Sequence, residues 1–95
     1  MFRDLRGVST FDPGEAEKFG EDPLFVRAVA RAVAILSVFE TTTKPLSLNE
    51  ISTISGIDRS AVQRMVHTLQ ALGMITRDTE DRGYLPGKRI LTMAY

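Results

Sequence analysis

The chain has 95 residues, which suffices for one small domain with a single modest hydrophobic core. It contains no cysteine, which excludes disulfide bonds and thiolate metal sites, and no apolar run reaches the roughly 18 residues of a membrane span. The formal net charge is zero, but residues 1–22 carry six Asp/Glu against three Lys/Arg, whereas residues 23–95 carry nine Lys/Arg against six Asp/Glu. A mildly basic domain behind an acidic segment permits a nucleic-acid partner without requiring one. We expect a cytoplasmic protein without membrane association.

The first 40 residues contain an irregular segment followed by an apolar one. Residues 1–22 show no sustained hydrophobic periodicity and contain three glycines and a proline, so we predict a flexible or loosely docked acidic arm. After Pro23, apolar residues recur at helical spacing and predict a helix over Leu24–Glu40. This helix is apolar over most of its circumference and needs cover on more than one side. Two interpretations stay open: a homodimer interface along residues 24–40, or a central helix wrapped by its own domain.

Two short helices separated by a glycine turn are predicted next. Ser47 and Glu50 have the S-x-x-E spacing of a capping box, which predicts a helix over Leu48–Ser55. Gly56 ends this helix, and a second helix is predicted over residues 58–72. Each helix has an apolar face that we expect to be buried: Leu48, Ile51 and Ile54 in the first, and Val62, Met65, Val66, Leu69 and Leu72 in the second.

These features meet the local requirements of a helix-turn-helix. Such a motif needs a short helix, a glycine in the turn, a small residue where the helices cross, and an apolar residue that locks the second helix onto the first. Ser52 is the small residue at the predicted crossing, and Val62 is the predicted lock.

The remaining residues predict a β-hairpin and the start of another helix. Met74–Arg77 and Tyr84–Leu85 are the predicted strands, joined by a polar turn. Lys44–Leu46 is a connector or one short strand, and Lys88–Tyr95 begins a final helix. The predicted fold class is therefore mainly α with a small β-hairpin wing (α+β). It is a winged helix-turn-helix, with a three-helix core and a two- or three-stranded sheet.

The exposed face of the second helix carries hydrogen-bonding side chains, namely Arg59, Ser60, Gln63, Arg64, His67 and Thr68. Arginine can pair bidentately with guanine and glutamine with adenine, while Ser60 and the helix N-terminal amides suit phosphates. The alternative is a plain solvated surface, but such surfaces usually mix charge signs, and no Asp or Glu occurs from Arg59 to Thr76. The pattern favours DNA contact.

The predicted wing offers two further candidates. Arg82 near the tip is placed to reach a phosphate or an adjacent minor groove, and Arg77 on the first strand is placed to reach a phosphate. Asp78, Glu80 and Asp81 lie in the same turn and would repel phosphates. A DNA-contacting wing and a plain acidic turn both stay open.

No catalytic or metal-binding constellation is visible in the sequence. His67 is the only histidine and has no cysteine or second histidine with which to build a metal site. Ser60 lacks partners at catalytic spacing, and no Gly-rich phosphate loop or paired carboxylates occur. We therefore predict no enzyme activity, no metal and no cofactor.

Three stretches carry a family resemblance: ARAVAILSVFE, KPLSLNEISTISGIDRSAVQRMVHTLQALGMITRD and GYLPGKRILTMA. Within them, Gly56, Ser60 and Arg64 match the pattern G-x-x-x-S-x-x-x-R, and Arg31 and Ser47 occupy further matching positions. From residue 26 to residue 94 the chain resembles the N-terminal winged-helix domain of the IclR family of bacterial transcriptional regulators. One departure is a proline, at position 86, in the predicted return strand, where a ladder donor is lost and the strand is expected to stop early.

The resemblance implies a larger protein. Regulators of this family have a C-terminal domain that binds a small organic effector and assists oligomerisation, and that domain is absent from this chain. The implied organisation is an acidic arm (1–22), a winged helix-turn-helix DNA-binding domain (23–87) and the start of an interdomain linker helix (88–95). The resemblance also implies homodimers on palindromic operators.

The predicted function is sequence-specific binding of double-stranded DNA, with the second helix (58–72) in the major groove and the wing (74–86) on the backbone. The alternative is a winged-helix module for protein interaction or dimerisation that does not bind DNA. The candidate DNA-contacting residues are Arg31, Ser47, Arg59, Ser60, Gln63, Arg64, His67, Thr68, Arg77 and Arg82.

Overall fold

The computed structural model describes residues 22–93 of the chain. The predicted acidic arm, apart from its last residue, and the last two residues of the predicted final helix lie outside this range. The described residues form four α-helices, a 3-10 turn and one hairpin: α1 (Arg27–Ser37), the 3-10 turn (Val38–Glu40), α2 (Leu48–Ser55), α3 (Arg59–Ala71), β1 (Ile75–Arg77), β2 (Tyr84–Pro86) and α4 (Lys88–Met93). This is the predicted winged helix-turn-helix.

The first helix begins at Arg27, three residues later than predicted. A carboxylate oxygen of Asp22 accepts a hydrogen bond from the Leu24 amide at 2.9 Å, and the Asp22 carbonyl accepts one from the Phe25 amide at 3.1 Å. These bonds close a turn in which Pro23 occupies the second position, where its fixed φ is favourable. Pro23 therefore belongs to a turn before the helix and not to the first helical turn.

The hydrophobic core lies where α1, α2 and α3 meet, and β1 contributes to it. Its largest fully buried side chains are Ile35, Ile51, Val62, Val66 and Ile75. Burying a side chain of this size stabilises the fold by about 1.5–3 kcal/mol relative to exposing it. All three helices supply residues to one cluster, so the predicted three-helix core is confirmed.

The outer side of α1 is not covered by the described residues. Its inner face buries Ala30, Ala34 and Ile35, whereas Val29 and Val33 on the outer face are exposed. The described part of the domain therefore does not wrap this helix on all sides, and both interpretations drawn from the sequence stay predictions.

Two other apolar side chains predicted to be buried are exposed, namely Ile54 at 48% and Leu72 at 57%. In a helix of 3.6 residues per turn, Ile54 lies about 120° around the axis from Leu48, whereas Ser55 returns to the Leu48 side. Ser55 is accordingly buried and Ile54 is not. Leu72 follows the last residue of α3 and caps it, where the chain turns towards β1.

The wing is a two-stranded antiparallel sheet with a single additional bridge. In the β1–β2 register, Thr76 lies opposite Leu85 and Arg77 opposite Tyr84. Leu46 exchanges two backbone hydrogen bonds with Tyr84, at 2.9 and 2.8 Å. The predicted third strand is therefore one bridging residue, and the first strand begins at Ile75, one residue later than predicted.

The return strand runs to Pro86, one residue further than predicted, so it does not stop before the proline. The proline is accommodated because it is the last residue of the strand. Pro86 lies opposite Ile75, and the following Gly87 amide bonds to the Met74 carbonyl at 2.8 Å. Pairs in an antiparallel ladder alternate between bonded and non-bonded, so Pro86 occupies a position where no amide is required. A Cβ on Gly87 would overlap the carbonyl oxygen of Gly73, so only glycine permits this close approach to the start of β1.

The remaining elements agree with the sequence in outline. α4 follows Gly87 directly, as predicted, and it is described as far as Met93. Among residues 22–93, no helix combines the length and the apolar character that crossing a membrane requires.

Two isoleucines on α2 can test which face of that helix is buried in the core. Replacing Ile51 with alanine should lower the free energy of unfolding by about 2–5 kcal/mol, because it leaves a cavity in the core. Replacing Ile54 with alanine should lower it by less than about 1 kcal/mol, because that side chain already contacts water. Urea unfolding of the 95-residue chain, followed by circular dichroism, measures both values. Equal losses would contradict the assignment of the buried face.

Candidate nucleic-acid interface

The start of α2 is fixed by the predicted capping box. The Ser47 hydroxyl accepts from the Glu50 amide at 3.1 Å, and the Ser47 amide donates to the Glu50 carboxylate at 2.9 Å. These bonds lower the pKa of Glu50, the backbone amide of Ser47 having the larger effect and its hydroxyl the smaller. The Ser47 hydroxyl and the Glu50 carboxylate thus accept hydrogen bonds from backbone amides at the start of α2 that would otherwise lack a partner.

The turn between α2 and α3 is held by two serines. Gly56 ends α2 with φ of 77°, a conformation that glycine adopts without steric cost. The Ser52 hydroxyl donates to the Ile57 carbonyl at 2.5 Å, and the Ser55 hydroxyl accepts from the Ile57 amide at 3.2 Å. Ser52 is thus more than a small residue at the helix crossing, because it ties the turn to α2. Val62 is fully buried, as the predicted lock requires.

Asp58 caps α3 and engages one of the candidate residues. Its carboxylate accepts from the Ser60 hydroxyl at 2.7 Å and from the Ala61 amide at 3.1 Å. The Ser60 hydroxyl is the main cause of the lowered pKa of Asp58, followed by the Ala61 amide, with a smaller effect from the positive charge of Arg31. The hydroxyl hydrogen of Ser60 therefore points to Asp58 in the free domain.

The polar face of α3 is exposed as predicted, and it forms two neighbouring rows. Residues four apart lie one above the other on a helix. The candidates therefore align as Arg59, Gln63 and His67 in one row, and Ser60, Arg64 and Thr68 in the next. The Thr68 hydroxyl donates to the Arg64 carbonyl at 3.1 Å, so its hydrogen is used within the helix.

Arg59 is held by a residue that the sequence did not single out. Its Nε donates to the side-chain oxygen of Asn49 at 2.6 Å, across the turn between α2 and α3. Its Nη1 makes a longer contact of 3.4 Å with the side-chain oxygen of Gln63, one helical turn further on. The guanidinium is therefore oriented before any ligand binds.

An open groove of about 270 Å³ lies between the start of α2, the start of α3 and the wing. We call it the α2–wing groove, and it is lined by Ser47, Leu48, Asn49, Arg59, Arg77, Asp81, Arg82, Gly83 and Tyr84. Four of the ten candidate residues are brought together there, although they come from three separate parts of the sequence: Ser47, Arg59, Arg77 and Arg82.

Arg77 is paired within the wing. Its guanidinium forms an ion pair with Asp81, donates to the Tyr84 hydroxyl at 2.8 Å and lies 4.8 Å from the centre of the Tyr84 ring. The hydrogen bonds that Arg77 donates to Asp81 are the main cause of its raised pKa. Asp81 has a positive φ of 60°, which aspartate and asparagine tolerate better than most residues.

Arg82 is paired as well, but with a buried carboxylate. Asp78 is only 8% exposed and accepts from Arg82 Nε at 2.7 Å and Nη2 at 3.2 Å. It also accepts from the amides of Glu80, at 3.2 Å, and Arg82, at 3.3 Å. The Arg82 side chain is the main cause of the lowered pKa of Asp78, and Asp78 in turn raises the pKa of Arg82. Asp78 thus shapes the turn and does not merely add charge to it.

A second cleft, of about 220 Å³, lies between α1 and α3 and is lined by three arginines, Arg27, Arg31 and Arg64. Two of them are candidate residues from the sequence, and Arg27 is an addition from the structure. Three positive side chains around one cleft make it attractive to an anion such as a phosphate.

Comparison with known proteins identifies the family of this architecture. Residues 28–79, which are more than half of the chain, match the model of the IclR helix-turn-helix domain. The chain belongs to the IclR family. The predicted resemblance is therefore confirmed.

Individual relatives agree with this assignment. The chain is similar to the Pca regulon regulatory protein of Pseudomonas putida, with 34% identity over 79 residues, covering 83% of this chain and 26% of that protein. It is also similar to the HTH-type transcriptional regulator XynR of Escherichia coli (strain K12), with 29% identity over 66 residues, covering 70% of this chain and 26% of that protein. The crystal structure of an IclR family transcriptional regulator from Brucella abortus superposes with a TM-score of 0.72 and 34% identity, covering 81% of this chain and 29% of that one.

The chain thus spans about a quarter of the length of the curated relatives it matches. The IclR match runs from α1 to the first residues of the wing turn and includes nine of the ten candidate residues; Arg82 lies outside it. Within residues 22–93, no three His, Cys, Asp or Glu side chains are grouped so that they could hold a metal ion.

Besides Arg27, sequence reasoning missed two pairings in this IclR domain, Asn49–Arg59 and Asp78–Arg82. Asn49 contacts Arg59 across ten positions, and no local spacing rule connects residues so far apart on different helices. Asp78 and Arg82 are four positions apart, a spacing that permits an ion pair, but no sequence pattern indicates that the carboxylate is buried.

Proposed function

We propose that this domain binds a specific double-stranded DNA sequence as the DNA-binding part of an effector-responsive transcriptional regulator. Membership of the IclR helix-turn-helix family and the similarity to named transcriptional regulators support this function. The observation that carries it is the exposed face of α3, which is polar, bears two arginines and has no carboxylate from Arg59 to Thr76. Such a face suits the major groove, where it meets base edges flanked by phosphates.

The first row of α3 is the proposed base-contacting row. Arg59 and Gln63 lie near the N-terminal end of the helix, the part of a recognition helix that contacts base edges. His67 lies one turn further along the same row. A guanidinium can pair with guanine and an amide with adenine through two hydrogen bonds each.

Phosphate contacts are proposed on both sides of α3. On one side, Arg64 and Arg31 line the cleft between α1 and α3. Ser60 and Thr68 lie in the same row as Arg64, and each can donate to a phosphate once its hydroxyl releases its present acceptor, Asp58 or the Arg64 carbonyl. On the other side, the Ser47 hydroxyl lies in the α2–wing groove. Contacts on both flanks fix the register of a recognition helix without carrying sequence information.

The wing approaches the DNA backbone in this proposal, mainly through Arg77. The Arg77–Asp81 pair is exposed, so a phosphate can take the place of the carboxylate as its partner. Arg82 is bound to buried Asp78 and first of all holds the shape of the turn. It reaches a phosphate with the exposed part of its guanidinium.

The domain organisation proposed for the protein follows from the family. Residues 23–87 form the DNA-binding domain, and α4 begins a helix that leads to an effector-binding domain for a small organic molecule. A DNA-binding regulator of this kind acts in the cytoplasm, where bacterial DNA lies. The domain pairs with a second copy on a palindromic operator, because two-fold symmetric proteins bind half-sites related by the same symmetry.

The exposed apolar stripe of α1, with the residues that precede it, is the proposed dimer contact: Leu24, Val26, Val29 and Val33. It continues into an apolar groove of about 450 Å³ between α1, β2 and α4, which shares Val33 with the stripe. Contiguous apolar surface of this kind is typical of interaction sites.

The DNA-binding proposal is tested by selection from a pool of duplexes with randomised centres. The 95-residue chain should enrich a two-fold related motif, and its affinity should fall steeply with salt. Alanine at Arg59 or Gln63 should each weaken discrimination at one base pair by about 1–3 kcal/mol, whereas alanine at Arg64 should weaken binding to all sequences and reduce the salt slope by about one. The exposed Thr92→Ala, which lies on α4 and not on the polar face of α3, serves as the control. If wild-type protein at concentrations that support dimers enriches nothing, the domain is a protein-interaction module instead.

The wing proposal predicts a gain of affinity. Asp81→Asn should strengthen DNA binding several-fold and steepen the salt slope by about one, because it frees Arg77 and keeps a residue that tolerates positive φ. The comparison variant is Glu80→Gln, which removes the same charge from the same loop and leaves the Arg77–Asp81 pair in place, although it also removes the 3.4 Å contact of Glu80 with Arg82 Nε. Filter binding of the selected duplex at several salt concentrations measures both variants. Equal gains would mean that the release of Arg77 is not specifically responsible, and no gain for either would remove the wing from the interface.

The dimer proposal predicts a loss of self-association. Val29 is 60% exposed, so Val29→Glu should leave the fold intact while placing a charge in the apolar stripe. Sedimentation velocity from about 10 µM to 1 mM should show wild-type association that rises with concentration and a monomeric variant. Gln70→Glu, on the other side of the domain core from the stripe, should behave as wild type. A strictly monomeric wild-type domain at the highest concentration would contradict the proposal.

A further inference from the structure

Asn49 lies at the second position of α2, outside the recognition helix, and its side chain is exposed. Its Oδ1 accepts from Arg59 Nε at 2.6 Å, the short distance typical of a hydrogen bond with a charged donor. The two residues belong to different helices, so the contact couples the orientation of the Arg59 guanidinium to α2.

The fold does not depend on this contact. The α2–turn–α3 unit is already fixed by the Ser52 and Ser55 bonds to Ile57 and by the buried side chain of Val62. An additional hydrogen bond between two exposed side chains competes with water and adds little to stability. The contact therefore matters for what Arg59 does at the surface.

The geometry restricts how Arg59 can pair with a base. A guanidinium offers Nε and two Nη nitrogens, and it contacts guanine either through Nε and one Nη or end-on through both Nη atoms. With Nε donated to Asn49, the end-on pair remains available. Gln63 adds a weaker contact to Nη1 at 3.4 Å, which limits rotation of the same group.

Asn49 is uncharged, unlike the carboxylates that pair with the other arginines of the α2–wing groove. Arg77 pairs with Asp81 and Arg82 with Asp78, so each wing arginine has a carboxylate beside it. An asparagine orients Arg59 without cancelling its charge, which leaves the full positive charge facing the DNA. Orienting a long side chain in the free protein also reduces the rotamer entropy lost on binding.

We propose that Asn49 is a positioning residue that holds Arg59 for end-on pairing with guanine, so that a residue of α2 sets the base preference of the recognition helix. This inference rests on the proposed DNA-binding function and on Arg59 as a base-contacting residue.

The first experiment uses the free 95-residue chain and needs no DNA. In ¹H–¹⁵N spectra of arginine side chains, the Arg59 Nε–H of the wild type should exchange slowly with water because Asn49 accepts its hydrogen bond. In Asn49→Ala this signal should broaden or disappear, while the thermal unfolding midpoint stays unchanged. Thr53→Ala, another exposed position on α2, should leave the signal as in the wild type. A wild-type signal that exchanges as fast as those of unpaired arginines would overturn the proposal.

The second experiment compares duplex selection by wild type, Asn49→Ala, Arg59→Ala and the double variant. Asn49→Ala should reduce the preference for guanine three- to ten-fold at the one base pair whose preference Arg59→Ala abolishes, and should leave other positions unchanged. In the double variant, the loss of Asn49 should have no further effect, since it acts through Arg59. If Asn49→Ala still changes selectivity when Arg59 is absent, Asn49 contacts DNA itself and the positioning role is wrong.

The acceptor-retaining variant Asn49→Asp separates orientation from charge. It should keep the guanine preference, because a carboxylate oxygen can take the same hydrogen bond. It should also lower affinity for every duplex and reduce the salt slope by about one, because it neutralises Arg59. Loss of the guanine preference in this variant would contradict the proposal. Failure of the DNA-binding function itself is recognised separately, by a wild type that selects no motif.

Discussion

The structure depends on the turn between α2 and α3, because that turn sets the direction of α3 relative to the rest of the domain. Gly56 takes a left-handed conformation that lets the chain leave α2 sharply, and two serine hydroxyls then bind the backbone of Ile57 from the α2 side. Ile57 and Val62 are buried in the core, which holds the turn against the rest of the domain. A rigid turn is what allows residues on two helices to present one surface, since a small change in helix angle would separate them.

That surface combines two ways of holding an arginine. In the wing, Asp78 and Asp81 hold Arg82 and Arg77 through ion pairs, which order the loop but offset the positive charge. On α3, Arg59 is held by an uncharged amide and keeps its charge. The two arrangements suit different roles. The wing has an ordered shape and a cation that can exchange its carboxylate partner for a phosphate, whereas α3 carries an uncompensated positive charge that attracts DNA. The overall charge of zero conceals this local arrangement.

The sequence predicted those parts of the fold that local rules govern. The capping box at Ser47, the helix Leu48–Ser55 and the turn at Gly56 were all correct, because each depends on residues within four positions of one another. The errors at Ile54 and Leu72 arose where a simple count of apolar spacing ignored the true helical angle or the end of the helix. The candidate site was predicted as a set of residue types, and which of them contact DNA stays a prediction. The pairing of these residues could not be predicted from the sequence, because contacts such as Asn49–Arg59 join distant positions through the tertiary fold.

The apolar character of α1 has a physical explanation that links the core to assembly. A small domain has one core, and α1 supplies Ala30, Ala34 and Ile35 to it from one face. Its outer face keeps Val29 and Val33, although no core residue in the described range covers them. Polar residues on the exposed part of that face would cost the described part of the fold little, so its core alone does not account for the valines. A second α1, related by two-fold symmetry, would cover them and would also fix the separation of two α3 helices. The same stripe would then determine which half-site spacing the pair can bind.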